Sequence, residues 1–293
     1  MEFTGTIDLH SHSTASDGTL RPRDVVRLAK ESGLSTLALT DHDTVDGIAE
    51  AREEAARVGV ELVNGIEVSS AFPRPGTMHL LGYGFDVAHP SMQRLLKVIG
   101  EARAERAALI IGRLKRLGVD LSVEEVRQET GGLGRPHLAK MLVKKGHVIS
   151  RNEAFRKYLG GGGAAWVDNL PLMSDGVIPL IREAGGIVSL AHPFQLRRQT
   201  FAQLEAVVRE LAEQGMEAVE TIHASHDTDM VHRLTRMADR LGLLTTGGSD
   251  YHGPEKSTKL GLPGGRVVPA YFLDEIVRRI DGRGAKMTAR SAA

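Results

Sequence analysis

The stretch DLHSH at residues 8–12 and the stretch SDYH at residues 249–252 decide the interpretation of this sequence. Side chains at positions i and i+2 of a β-strand point to the same face, so His10 and His12 present two imidazoles to one point. Asp250 and His252 do the same. Both pairs are typical of metal ligands. Two such pairs near opposite ends of a 293-residue chain predict a fold that brings its ends together around metal.

Seven short apolar runs predict β-strands, and each is followed by a polar cluster and then a helical pattern. This alternation is typical of a parallel sheet covered by helices. The predicted strands are Ile7–Leu9, Thr36–Leu39, Glu61–Val63, Met78–Leu81, Ile187–Leu190, Ala218–Ile222 and Leu243–Thr246.

Helical periodicity fills the intervals between these strands. Gly33, Gly59, Gly215 and Gly242 follow four of the helices at positions typical of C-caps. The predicted helices are Arg23–Ser32, Ile48–Val58, Ser174–Ala184, Phe201–Gln214 and Asp229–Leu241.

The alternation breaks once, between the fourth and fifth strands, where about 100 residues intervene. Helices are predicted there at Ser91–Leu117, Val123–Thr130 and Pro136–Lys145, and the glycine run 160–163 supplies a flexible return. We therefore predict a barrel domain formed by residues 1–91 and 171–293, with a helical subdomain inserted at residues 92–170.

Composition limits the chemistry that the chain can perform. With 41% hydrophobic residues the chain can fill a sizeable core, and it lacks both a run of 18 apolar residues and a recognisable signal peptide. A cytoplasmic location, no membrane contact and no obligate protein partner are the expectations. The absence of cysteine excludes disulfides and thiolate ligands, so any metal is held by nitrogen and oxygen.

The net charge of zero conceals a segregation along the chain. Between Arg94 and Lys157 there are 15 Lys and Arg against 7 Asp and Glu, whereas the remainder has 22 against 30. The basic segment is suited to an anionic substrate. A helical insert with solvated charged faces is the alternative that charge alone leaves open.

Polar side chains follow the predicted strands with unusual regularity. In a barrel of parallel strands, the carboxyl ends of the strands share one face, where active sites are built. A single histidine is more often structural than a ligand, but recurrence at equivalent positions favours one shared site. The residues concerned are His10, His12, Asp17, Asp41, His42, Asp43, Glu67, His79, His192, His226, Asp250 and His252.

These motifs, in this order, resemble the PHP family, named for polymerase and histidinol phosphatase. The resemblance covers nearly the whole chain and rests on DLHSHSTASDG at 8–18, TDHDT at 40–44, NGIEVS at 64–69, AHP at 191–193 and GSDYH at 248–252. It implies an α/β fold, a distorted (β/α)7 barrel with an inserted helical cap, and a centre of three divalent metal ions.

The resemblance also implies a ligand set. One ion would be held by His10, His12, Glu67 and Asp250, a second by Asp17, His42 and His252, and a third by Glu67, His79 and His192. Such a shell suits Mn, with Fe or Zn as alternatives. Metal ions close together can generate a bound hydroxide and clamp the oxygens of a phosphate ester.

The carboxylates beside these ligands have supporting roles in this interpretation. Asp8, Asp41 and Asp43 are expected to orient imidazoles by accepting their second N–H. For Asp43 and Asp46, N-capping of the helix that starts at Ile48 is an equally good alternative.

Substrate contacts are expected from the insert and from one strand end. Arg103 and Arg106 lie on one helix face, and Arg135 with His137 belongs to a later turn. Family members with this insert use it to grip nucleotide phosphate, and guanidinium groups suit that role; surface arginines on an amphipathic helix are the alternative. Trp166 is interpreted as a core residue; stacking of Trp166 and Tyr158 on a base is the alternative.

Two histidines are candidates for proton transfer. His226 is expected to touch the scissile phosphate or to protonate the leaving oxygen, and His252 is a second candidate. His223 is interpreted as structural.

The function that this resemblance implies is hydrolysis of a nucleotide phosphate ester. The expected substrate is the 3′-phosphate of nucleoside 3′,5′-bisphosphates, or short RNA trimmed from 5′ to 3′. Histidinol phosphate phosphatase is the alternative enzyme. A non-catalytic metal-binding regulatory or polymerase-associated module is the alternative of another class.

Overall fold

The computed structural model describes residues 5–71, 78–168, 172–198 and 200–283. Two compact units are present, one formed by Met1–Leu96 with Leu172–Ala293 and the other by Lys97–Pro171. The return boundary predicted at residues 170 and 171 lies outside the described residues.

The larger unit is built on one mixed sheet. Its strands are β1 (Thr6–Asp8), β2 (Leu34–Leu39), β3 (Glu61–Ala71), β4 (Met78–Tyr83), β5 (Leu172–Met173), β6 (Ile187–Leu190), β7 (Ala218–Ile222), β8 (Leu244–Gly247) and β9 (Val268–Pro269). The strand order is β8-β7-β6-β4-β3-β2-β1-β9, and β5 pairs with β3. All seven predicted strands are confirmed. The two-residue strands β5 and β9 are too short for a periodic signal.

The sheet closes almost into a barrel because the chain after β8 runs beside the chain after β1. The amide of Leu9 donates to the carbonyl of Gly247 at 3.2 Å, and the amide of Asp250 donates to the carbonyl of His10 at 2.9 Å. Ser11 and Tyr251 form a parallel bridge just beyond. The predicted meeting of the two chain ends, and with it the barrel fold, is confirmed.

The prediction of an all-parallel sheet is wrong at β4, and the short strand β9, which was not predicted, also pairs antiparallel with β1. β4 runs antiparallel to both neighbours, β3 and β6, whereas the β1–β2–β3 and β6–β7–β8 ladders are parallel. No helix is predicted between the third and fourth strands, which are only six residues apart in the sequence, and a short connection can join only antiparallel neighbours. The start of β4 therefore lies beside the far half of β3.

Helices cover the outside of this sheet. They are α1 (Pro22–Glu31), α2 (Ile48–Val58), α7 (Ser174–Glu183), α8 (Phe201–Glu213), α9 (Thr228–Leu241) and α10 (Tyr271–Asp281). All predicted helices of this unit match within one residue at each end, and α10 was not predicted. Gly59 and Gly242 end α2 and α9 in the left-handed conformation, at φ of 69° and 66°, which glycine adopts without steric cost.

One hydrophobic core cluster of this unit lies between the strands and α10. Ile7, Leu81, Tyr83, Leu273 and Ile276 are fully buried there. This apolar floor supports the strand ends, where the charged residues gather.

The smaller unit is helical. Its elements are α3 (Pro90–Arg116, entering from the larger unit), α4 (Val123–Thr130), α5 (Arg135–Lys144), α6 (Arg151–Ala154) and a π-helical turn at Phe155–Leu159. Ile110, Leu114, Val126, Leu138 and Leu142 form part of its own buried core. Across the described residues, no helix combines the length and apolar character needed to cross a membrane.

Candidate metal centre

Glu67 lies at the centre of the site, in the middle of β3, and is fully buried. Its two carboxylate oxygens face five imidazole nitrogens. Oε2 lies 3.2 Å from His10 Nε2, 3.2 Å from His12 Nε2 and 3.1 Å from His42 Nδ1, and Oε1 lies 2.8 Å from His79 Nδ1 and 2.9 Å from His192 Nε2. One carboxylate thus joins side chains from four separate parts of the sheet.

Two further carboxylates complete the cluster. Asp250 Oδ1 lies 3.1 Å from His12 Nε2 and 3.4 Å from His10 Nε2. Asp17 Oδ1 lies 3.3 Å from His252 Nε2. Every predicted ligand therefore lies within one connected group of side chains.

Three subsets have ligand atoms close enough to share one ion. They are His10, His12, Glu67 and Asp250; His12, Asp17, His42 and His252; and His42, Glu67 and His79. The first is the set that the resemblance implies, and the second contains the implied set with His12 added. The third contains His42 where the resemblance implies His192, whose Nε2 nevertheless lies near the same carboxylate.

The donor set fits metal better than it fits internal hydrogen bonding. Three imidazoles crowd one oxygen of Glu67, and both ring nitrogens of His12 are buried without a well-aligned hydrogen bond among the described residues. Buried polar atoms are normally satisfied. Lone pairs converging from imidazole and carboxylate groups, with no sulfur, are what Mn, Fe or Zn require.

Local backbone strain is concentrated at this site. In the described part of the chain four non-glycine residues have positive φ, and three of them, Asp43, His192 and Asp250, lie in or beside the cluster at φ of 57°, 27° and 55°. Such conformations persist only where surrounding contacts determine them, and they are enriched at functional sites.

The cluster is electrostatically coupled throughout. Burial opposes ionisation of Glu67, but the imidazoles of His42 and His10 outweigh it and hold the pKa of Glu67 well below its usual range. Burial also disfavours charge on His12, yet Asp250 and Glu67 raise the pKa of His12 to about 10. The site therefore favours ionised carboxylates surrounded by positive charge, which divalent ions can also supply.

The prediction that neighbouring aspartates orient imidazoles is wrong for Asp8 and Asp41. Asp8 accepts backbone N–H groups from His10, Ser249 and Gly261. Asp41 accepts from the backbone and side chain of Ser13 and from the hydroxyl of Ser16. These two carboxylates fix the loops that carry the histidines.

Asp43 accepts the backbone N–H of Ser69 at 2.7 Å. N-capping by Asp43 or Asp46 is wrong, because the N-cap residue of α2 is Gly47, which makes no side-chain cap. Asp43 instead joins the loop after β2 to β3.

Glu220 and His223 were missed as site residues. Glu220 is fully buried in β7, and its Oε1 lies 2.9 Å from His10 Nδ1. His223 Nε2 lies 3.4 Å from Asp250 Oδ2, and its ring centroid lies 5.4 Å from that of His192. A glutamate in the centre of the apolar strand AVETI was the signal available for Glu220.

Backbone partners fix the tautomers of three histidines. His226 and His252 donate from Nδ1 to the carbonyls of Thr221 and Asp250, so Nε2 is the atom that carries the lone pair when either ring is neutral. His223 Nδ1 accepts the N–H of Ser225 at 3.0 Å, so its Nε2 carries the hydrogen. His226 is buried, and desolvation lowers its pKa to about 4.

The predicted substrate residues of the insert lie within the smaller unit. Arg106 donates to the carbonyl of Val167, and Arg135 Nη1 lies 3.5 Å from the carbonyl of Leu159. Their guanidinium carbons lie 5.4 and 4.7 Å from the Trp166 ring. The interpretation of Trp166 as a core residue is wrong, since its half-buried ring packs against arginines.

Arg103 and His137 meet near the start of α5. His137 Nδ1 accepts the N–H of Gly134 at 3.2 Å, and a Cβ at Gly134 would lie 2.8 Å from Arg103 Nη2. Arg103, Arg106, Arg135 and His137 are therefore all within the one helical unit.

Comparison with known proteins agrees with this geometry. A family model described as the PHP domain matches residues 8–112. A 3′,5′-nucleoside bisphosphate phosphatase of Chromobacterium violaceum is 36% identical over 253 residues, which are 85% of this chain and 87% of that protein. The 5′-3′ exoribonuclease Rnm of Escherichia coli is 35% identical over 88% of this chain and 90% of its own length.

Solved structures give the same result. A proposed metal-dependent phosphoesterase from Bifidobacterium adolescentis has a TM-score of 0.79 at 28% identity, covering 95% of this chain and 98% of that chain. An amidohydrolase from Chromobacterium violaceum, solved with bound sulfate and no metal, has a TM-score of 0.75 at 34% identity, covering 95% and 97%. The sequence motifs, the barrel and these relatives agree, and the chain belongs to the PHP family of metal-dependent phosphoesterases.

Proposed function

We propose that this protein hydrolyses a phosphate ester of a nucleotide, using three divalent ions held around Glu67. The preferred substrates are the 3′-phosphate of nucleoside 3′,5′-bisphosphates and short RNA degraded from its 5′ end. The observation that carries the proposal is the convergence of five imidazoles on the single buried carboxylate of Glu67.

The ions are assigned by the ligands that surround them. His10, His12, Glu67 and Asp250 hold one ion. Asp17, His42 and His252 hold a second, and Glu67, His79 and His192 hold a third. Mn is the expected metal, and Fe and Zn are compatible with the same nitrogen and oxygen donors.

His252 and His226 have distinct proposed roles beside the bound ions. Bound divalent ions lower the pKa of a coordinated water and neutralise charge on the phosphoryl oxygens. His252 presents a lone pair at Nε2, 3.3 Å from Asp17, so it acts as a ligand in this tautomer. His226 presents a buried lone pair at Nε2 and can accept a hydrogen bond or a proton from water or substrate.

Substrate choice is assigned to the helical insert. Arg103, Arg106, Arg135 and His137 contribute cationic and hydrogen-bonding groups, and the segment that carries them is the basic part of the chain. Two relatives bear names that refer to nucleoside bisphosphate and to RNA. Binding of a terminal 5′-phosphate by arginine would serve both substrates, because each offers a second phosphate ester for hydrolysis.

A substrate panel tests this proposal. Metal-free protein reconstituted with Mn is assayed for hydrolysis of adenosine 3′,5′-bisphosphate, 5′-phosphorylated short RNA and histidinol phosphate. The proposal is supported if kcat/KM is highest for adenosine 3′,5′-bisphosphate or for 5′-phosphorylated short RNA. Preference for histidinol phosphate identifies the alternative enzyme, and metal binding without hydrolysis of any substrate identifies a non-catalytic module.

A further inference from the structure

Glu220 is a buried charged residue that is not one of the proposed metal ligands. It lies at the centre of β7, and its solvent exposure is zero. Among the described residues, no lysine or arginine forms an ion pair with it, and its one ion-pair partner is His10. A carboxylate in an apolar strand interior is costly unless it has strong partners, so its contacts indicate its role.

The first contact fixes the tautomer of His10. Glu220 Oε1 lies 2.9 Å from His10 Nδ1. An ionised carboxylate can only accept, so Nδ1 carries a hydrogen, and Nε2 is the ring nitrogen that can offer a lone pair to an ion once it has lost its own proton. That Nε2 faces Glu67 Oε2 at 3.2 Å and Asp250 Oδ1 at 3.4 Å. A neutral imidazole with the hydrogen on Nδ1 is the form that can coordinate an ion from this position.

The second contact fixes the backbone of His192. Glu220 Oε2 accepts the amide N–H of His192 at 2.7 Å. His192 has φ of 27° and ψ of 64°, a sparsely populated conformation for a residue with a side chain. This conformation places His192 Nε2 2.9 Å from Glu67 Oε1.

We propose that Glu220 is a positioning residue that prepares two metal ligands at once, by selecting the tautomer of His10 and by holding the strained backbone of His192. The inference rests on the proposed role of these two histidines as ligands. The resemblance assigns these histidines to different ions. Glu220, which is not itself a proposed ligand, would therefore influence the metal affinity of two positions. Carboxylates that accept the second N–H of a ligand histidine typically change metal affinity 10-fold to 100-fold when removed.

The substitution Glu220→Gln tests this role. Glutamine has nearly the same size but offers one acceptor and one donor, whereas His10 and His192 both require an acceptor. The amide N–H of His192 is always a donor, so it is expected to bind the oxygen of the introduced glutamine. The NH₂ group of the glutamine then faces His10. His10 then places its hydrogen on Nε2, toward the metal position.

Two measurements on the full-length protein follow. Mn binding is measured by isothermal titration calorimetry, with a predicted loss of about 10-fold to 100-fold in affinity for Glu220→Gln. The tautomer of His10 is measured by NMR of ring ¹⁵N nuclei in the zinc-loaded protein, where the ring is neutral, with a predicted shift of the hydrogen from Nδ1 to Nε2 in Glu220→Gln. Glu217→Gln is the matched control, because Glu217 is also buried but pairs with Arg283.

The outcomes separate this proposal from the proposed function. Wild-type Mn affinity and an unchanged His10 tautomer in Glu220→Gln would overturn the positioning role, whatever substrate the enzyme hydrolyses. Normal metal binding by wild type without hydrolysis of any nucleotide would overturn only the proposed function. If Glu220→Gln does not fold, Glu220→Asp provides the test, since it keeps the charge but is too short to reach both partners. Wild-type affinity in that variant would also overturn the proposal.

Discussion

Glu67 Oε1 lies 2.8 Å from His79 Nδ1, although the two residues belong to neighbouring strands that run in opposite directions. His79 is the second residue of β4, and Glu67 is in the middle of the 11-residue strand β3. The antiparallel pairing brings the start of one strand to the level at which the parallel strands of the barrel end. A strand of opposite direction thus supplies a side chain to the same face.

Glu67→Gln is predicted to remove most of the metal affinity of the centre. The variant keeps the shape of the side chain but loses the negative charge that faces five imidazoles. We expect Mn affinity to fall by more than about 100-fold, beyond the effect typical of residues that merely support ligands. Calorimetric titration with Mn measures this effect, and the exposed Glu53→Gln is the control. Retention of wild-type affinity would remove Glu67 from the centre of the site.

Gly248→Ala is predicted to disturb the site through packing. A Cβ at Gly248 would lie 2.3 Å from His10 Cβ and 2.4 Å from the His10 amide nitrogen, where nothing flexible can move aside. We expect a loss of about 1–3 kcal/mol in the free energy of unfolding, together with weaker Mn binding.

Gly112→Ala is the matched control for that substitution. Gly112 lies inside α3, and no atom of the described residues lies within 4 Å of the added Cβ. Alanine there should stabilise the helix by about 0.5–1 kcal/mol. Equal effects of the two substitutions in urea unfolding would show that the close approach to His10 is not important.

The barrel was predictable because helical periodicity and the polar residues at strand ends are patterns between residues that are close in the sequence. Periodicity placed the helices of the larger unit within one residue, and strand-end positions placed His10, His42 and His192 on one face. The direction of β4 was missed because a short, mostly apolar run of four residues, Met78–Leu81, carries no information about strand direction. Only the missing helix before it indicates the reversal.

Individual side-chain contacts between distant residues, unlike the meeting of the two chain ends, could not be predicted in this way. Glu220 and His10 are 210 positions apart, and no spacing rule connects them. Asp8 was the neighbour in sequence and therefore the predicted partner of an imidazole, but it binds backbone amides instead. Tautomers depend on such partners, so those of His223 and His226 could be assigned only from the structure.

His226 is predicted to make the metal-free protein less stable as the pH falls from about 6.5 to about 4. Desolvation lowers the pKa of His226 to about 4 from its ordinary 6.5, so the unfolded state binds a proton that the folded state resists. The contribution of neutral His226 to the free energy of unfolding is fully present above pH 6.5. It decreases as the pH falls toward 4, by about 3 kcal/mol at 1.36 kcal/mol per pKa unit.

Thermal unfolding across this pH range, in the presence of chelator, compares wild type with His226→Gln. The variant should lose stability less steeply over the same interval. Identical slopes would show that His226 is not buried in its neutral form.

Arg103→Ala combined with Arg106→Ala is predicted to raise KM for adenosine 3′,5′-bisphosphate. A charge-assisted contact to phosphate contributes about 1.5–3 kcal/mol, which corresponds to roughly 10-fold to 100-fold in KM when kcat is unchanged. Arg116→Ala, an exposed residue at the end of the same helix, is the control.

Because Arg106 also donates to the carbonyl of Val167, thermal unfolding of each variant must accompany the kinetics. An unchanged KM in a folded double variant would assign these arginines to the internal structure of the insert alone.

The dependence of hydrolysis on the Glu67 metal centre is measured by phosphate release from adenosine 3′,5′-bisphosphate by metal-free protein, before and after addition of Mn. We expect no release without metal, turnover after addition of Mn, and loss of that turnover in folded Asp17→Ala and His192→Ala variants. Absence of turnover on both this bisphosphate and 5′-phosphorylated short RNA in wild type that has bound Mn, or wild-type turnover in both variants, would show that the proposed metal-dependent hydrolysis is wrong.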